Sequence, residues 1–110
     1  MNEVIWIEDR LSHIRKAFIS RKLPEYMWDA TRLYVDKGIA PGHFLTAALE
    51  NRLSGAFAYA DDANRKSMHG WVMFFYNDLP GGCWGTPDKV TDWIMKRGLL
   101  GIEEAAKEGK

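Results

Sequence analysis

The chain has one cysteine, Cys83, so no internal disulfide can form and a disulfide-stapled secreted scaffold is excluded. Cys83 reads instead as a small buried apolar group, compatible with a reducing cytoplasm. No stretch approaches the roughly 18 to 20 apolar residues that a helix needs to cross a bilayer. The start, Met1 to Arg10, lacks the basic opening and long apolar run of a signal peptide, because charge returns directly after Val4-Ile5-Trp6-Ile7. The expected location is the cytoplasm. Net charge is missing too: 15 Lys and Arg balance 15 Asp and Glu, which removes long-range steering toward nucleic acid or an anionic membrane.

Chemistry-bearing patterns are equally sparse. His13, His43 and His69 stand apart, with no cysteine, histidine or paired carboxylate at metal-ligand spacing. No metal and no cofactor is expected. A Cys83 and histidine nucleophile pair has no local signature. Asp61 and Asp62 serve as helix-start residues rather than as an acid and base pair. Gly81, Gly82 and Gly85 fit neither a phosphate-binding loop nor a dinucleotide fingerprint. The reading is therefore not an enzyme.

Aromatics are what the chain has in excess, five Trp, five Phe and four Tyr in 110 residues. They supply large contact areas at low entropic cost, in a core or at an interface. The length suits one domain with one core. Its apolar spacing predicts an all-α, compact bundle of about five helices with a short extended N-terminal arm. Residues 1–22 form the arm and a first helix, 23–98 the core helical region, and 99–110 a short packing segment that frays into a polar tail.

Ile7, Leu11, Ile14 and Phe18 share one side of the first helix, while Val4-Ile5-Trp6-Ile7, rich in β-branched residues, reads as the extended arm. Pro24 opens a second helix with an inward stripe of Leu23, Met27, Ala30 and Tyr34, and Gly38 stops it. Trp28 lies one position off that stripe, which makes it a candidate exposed aromatic. Pro41 opens a third helix carrying Leu45, Ala48, Leu49, Leu53, Ala56, Phe57 and Ala60 inward over about four turns, with Gly55 marking a kink or a close crossing. Asp61-Asp62 cap a fourth helix through Asn77. It is apolar nearly all round, from Met68 and Trp71 to Phe75 and Leu79, and so belongs at the centre. After Pro80-Gly81-Gly82, Thr86 and Pro87 start a fifth helix with Val90, Trp93 and Ile94 inward, closed by Gly98.

The pieces Pro24-Glu25-Tyr26-Met27, Gly38-Ile39-Ala40-Pro41-Gly42-His43-Phe44-Leu45-Thr46-Ala47, Ala60-Asp61-Asp62-Ala63-Asn64-Arg65, Phe75-Tyr76-Asn77 and Cys83-Trp84-Gly85-Thr86-Pro87-Asp88-Lys89-Val90 resemble small accessory proteins of bacteriophages and prophages of Gram-negative bacteria. The resemblance covers about the last two thirds of the chain. It implies a mobile-element origin and action in the host-cell cytoplasm, and it transfers no catalytic residue. Such proteins often bind and block a host enzyme or a defence complex, or sequester a signalling nucleotide.

The resulting expectation is a non-enzymatic phage protein that inhibits or modulates a host or defence protein. Its contacts would come from Trp6, Tyr26, Trp28 and Tyr59, framed by Arg10, Arg15 and Arg32, because aromatics and arginines carry most interface energy. A homo-oligomer through the same aromatics is a variant of this reading. The alternatives are a small nucleic-acid-binding regulator, which tight helical turns would suit but neutrality disfavours, and a nucleotide-sequestering protein.

Overall fold

In the computed structural model, the described part of the chain comprises the backbone of residues 2–108 and the side chains of residues 10–108. Among these residues there are eight α-helices and no strand: α1 Asn2–Ser20, α2 Trp28–Lys37, α3 His43–Leu49, α4 Leu53–Tyr59, α5 Asp62–Lys66, α6 Met68–Asp78, α7 Pro87–Met95 and α8 Gly98–Glu108. None is long and apolar enough to cross a membrane. The all-helical class follows the periodicity, but the number of helices and both ends of the chain differ from the sequence reading.

The extended arm is the first correction. Val4 to Ile7 lie inside α1. A short apolar run with no neighbouring strand has no ladder for its N–H and C=O groups, and continuing the helix satisfies them locally. Leu11, Ile14 and Phe18 are buried as their spacing requires. The helix ends where Lys22 turns left-handed (φ 59°), with Leu23 N–H bonding Phe18 C=O and Lys22 N–H bonding Ile19 C=O. That pair of bonds closes the open carbonyls of the last turn without a glycine.

Asn51 does the same in the predicted third helix, which is two helices rather than one. At φ 65° it lets its own N–H reach Ala48 C=O and that of Arg52 reach Ala47 C=O, so α3 stops and α4 folds back over it. Asparagine tolerates this conformation better than other non-glycine residues. Gly55 sits at the close approach, where an added Cβ would lie 3.4 Å from that of Ala47. The predicted fourth helix is likewise divided, at Ser67, into α5 and α6.

The C-terminal segment is the third correction. Residues 98–108 form α8, packed on α2, instead of a short segment with a frayed tail. Arg97 and Gly98 turn at φ 64° and 63°, and Gly98 meets Gly38 so closely that a Cβ on either would come within 2.8 Å of the other's backbone nitrogen. Arg10 fastens the arrangement by pairing with Asp36 of α2 and Glu103 of α8, both at 2.7 Å.

Trp71 is the centre of the core, fully enclosed by Phe18, Phe44, Phe74 and Phe75 at ring-centroid separations of 5.8 to 6.2 Å. Such edge-on and tilted pairs add to the apolar burial itself. Each enclosed polar handle finds an acceptor. Trp71 Nε1 donates to Asn64 Oδ1 (3.0 Å), Trp93 Nε1 to Tyr34 C=O (2.9 Å), and the Tyr34 hydroxyl to Cys83 C=O (2.6 Å). The Leu79–Thr86 loop is pinned to α3 by Gly85 N–H on Leu49 C=O at 2.7 Å. Asp61 and Thr86 cap α5 and α7 through Asn64 N–H and Lys89 N–H. The α6 helix is not buried all round, however: Val72 and Tyr76 face solvent because α1 and α3 cover only its other sides.

Replacing Trp71 by Ala removes the largest enclosed side chain and orphans the Asn64 amide. A loss of about 3–5 kcal/mol is expected, read as a lower midpoint in urea denaturation.

Candidate binding surface

The structure links four of the seven predicted contact residues along one strip. Arg15 holds Glu25 with two hydrogen bonds (2.6 and 3.2 Å) and lies 4.9 Å above the Trp28 ring. Beneath that cation, Trp28 packs edge-on against Phe18 at 5.1 Å and is half-buried, not free. Tyr26, next to Glu25, is exposed and donates its hydroxyl to Asp61, two residues beyond Tyr59. Tyr59 stacks on His43 at 5.0 Å with 21° between the rings and remains exposed.

Two others fall elsewhere. Arg32 lies one helical turn beyond Trp28 and pairs with Asp29 at 2.9 Å. Arg10 is committed inside the fold, its side chain only 12% exposed between Asp36 and Glu103, so it cannot frame a contact surface. The Trp6 side chain lies outside the described residues.

Beside Tyr59, an open groove of about 770 Å³ runs between α3 and α4, bordered by His43, Thr46, Glu50, Arg52 and Leu53. Glu50 and Arg52 pair at its border at 3.3 Å. The volume is in the usual range for binding clefts. The α4 helix that forms one wall buries only Ala56, leaving Leu53 (68% exposed), Phe57 and Tyr59 in solvent. Leu53 also borders a small recess shared with Val72 of α6, so the apolar surface continues from α4 to α6, where Tyr76 is 72% exposed.

Sequence periodicity places Leu53 and Phe57 inward. The break at Asn51 resets the helix phase and turns them outward. The available signal was Asn51-Arg52, a left-handed helix stop without glycine.

Among the described residues, no group of three His, Cys, Asp or Glu could hold a metal ion. Cys83 is enclosed, and burial pushes its thiol up to about 12. Burial drives the Tyr34 hydroxyl well above the phenol range, with Cys83 and Glu50 adding to the shift. The exposed Tyr26 and Asp61 pair is shifted by its shared hydrogen bond. That bond raises Tyr26 and, together with Asn64 N–H, holds Asp61 below the usual carboxylate range.

No family model, curated protein or solved structure matches the chain.

Two measurements check this description. Because the folded Asp61 value is depressed, its contribution to stability is present at neutral pH and is lost as pH falls through and below the carboxylate range of about 4. Tyr26→Phe should flatten that acid loss, seen by comparing urea midpoints of the two proteins at neutral and acid pH. Cys83 should react with an aromatic disulfide reagent only as fast as the chain opens, with the rate rising across the unfolding transition.

Proposed function

We propose that this is a non-enzymatic binding protein that grips another protein through the exposed surface of α4 and the adjoining face of α6. The observation that carries this reading is α4 itself: a two-turn helix that buries a single alanine while exposing Leu53, Phe57 and Tyr59. Contiguous exposed apolar residues with a polar border characterise protein contact sites. The border here includes Arg52, Glu50 and His43 on the groove side, and Asp61 with Tyr26 at the far end.

The expected anchors change accordingly. The described indoles are enclosed or half-buried, so tyrosines and aliphatic residues replace tryptophans as gripping side chains. Tyrosine suits the role, since its rigid ring gives contact area and its hydroxyl keeps a hydrogen bond. The strip from Tyr59 through Tyr26 to Trp28 and Arg15 extends the surface toward α1 and α2.

The likeness to phage and prophage accessory proteins directs the choice of partner toward a host or defence protein that the contact would block or modulate, in the cytoplasm of an infected cell. The absence of net charge argues against nucleic acid, where phosphate contacts dominate affinity. It equally removes charge repulsion between copies of the chain.

Affinity capture from bacterial host cells tests the reading. The wild-type protein should retain one host protein at fixed stoichiometry. The double variant Leu53→Asp/Tyr59→Ala, altered only at exposed positions, should keep its helical spectrum and weaken that retention by about 2 kcal/mol or more, the scale of a disrupted anchor. Retention unaffected by the double substitution, or no protein retained by the wild type, overturns the proposal.

A further inference from the structure

A separate cleft of about 500 Å³ lies between the end of α1 and the length of α6, from His69 in its first turn to Asp78 at its last residue, with Lys16, Ser20 and Arg21 on the α1 side. Three cationic or protonatable side chains thus meet one carboxylate, and that carboxylate is already engaged. Arg21 Nε donates to Asp78 Oδ2 at 2.6 Å, with both side chains largely withdrawn from solvent. The bond fixes the plane of the guanidinium. Its Nη1 and Nη2 make no hydrogen bond to another side chain among the described residues, and neither Lys16 nor His69 forms an ion pair there.

The backbone brings these groups together. Gly70 lets α6 lie so close to the end of α1 that an added Cβ would sit 3.2 Å from both Arg21 C=O and a Leu23 methyl. His69, its neighbour, and Lys16 line the same cleft as Arg21. The arrangement matches a known recognition logic, in which a carboxylate orients an arginine whose remaining fork is presented to an anion.

We propose that this cleft is a binding site for a small phosphate-bearing ligand. A tetrahedral dianion accepts from several directions at once, and the Arg21 fork, the Lys16 ammonium, the His69 imidazole and the Ser20 hydroxyl are the donors around the cleft. A planar carboxylate would need only the arginine fork. The cleft is larger than one phosphate group, and Ala17 and Met73 add apolar wall for the body of a nucleoside-sized molecule. The site shares no residue with the α4 surface, so either reading can fail without the other.

Two-dimensional amide NMR on the full chain, titrated with inorganic phosphate, adenosine monophosphate and adenosine at low salt, tests the proposal. Phosphate and the monophosphate should produce saturable shifts at Lys16, Ser20, Arg21, His69 and Gly70, while adenosine should leave these signals in place. Lys16→Glu and His69→Ala, both at exposed positions, should keep the dispersed spectrum and weaken the binding by about tenfold or more. Saturation equal to wild type in Lys16→Glu overturns the placement. Strictly linear shifts with both phosphates, or adenosine binding as tightly as its monophosphate, overturn the phosphate site itself.

Discussion

The enclosure of Trp71 is the constraint on which the rest depends. Its indole takes apolar contact from helices α1, α3 and α6 at once, so those three must converge at fixed angles before the ring is covered. Its N–H must also reach Asn64, which fixes α5 against the same centre. Leaving a buried donor without an acceptor would cost more than an ordinary hydrogen bond contributes. Trp93 and Tyr34 repeat the requirement on the other side of the core, joining α7, α2 and the Cys83 loop in a relay of donor to carbonyl.

This solution consumes much of the aromatic excess. Seven of the fourteen aromatics, Phe18, Tyr34, Phe44, Trp71, Phe74, Phe75 and Trp93, are buried, and the rings around Trp71 pack edge-on or tilted against one another. What remains for solvent is a different set, including Tyr26, Tyr59, Tyr76, Leu53, Phe57 and Val72. Leu53, Phe57 and Tyr59 are exposed because the short α4 folds back on α3 and buries only Ala56. Tight core and bare helix are two results of the same packing, since α3 is the element that both touches Trp71 and carries α4.

Charge is arranged with similar economy. Arg10 and Arg15 of α1 and Arg21 just beyond its end each meet a different fate. Arg10 closes the fold against Asp36 and Glu103, Arg15 covers Trp28, and Arg21 is oriented by Asp78 at the rim of a cleft. One helix and the turn that ends it thus supply a structural bolt, a lid over an indole and a positioned cation, and the acidic partner decides which role each arginine takes.

The chain's own residues determined much of this in advance. The helical class, the caps at Asp61 and Thr86, the stop at Gly38, the inward Leu11, Ile14 and Phe18, the central Trp71 and the enclosed Cys83 were all legible, because each depends on residues within a turn or two. Tertiary structure alone decided the helical start of the chain, the reversal at Asn51 that exposes Leu53 and Phe57, the folding of α8 onto α2, and the burial of Arg10 against a residue 93 positions away. Left-handed turns at lysine, asparagine or arginine leave little mark in composition. An ion pair between distant residues leaves none until packing brings its partners together.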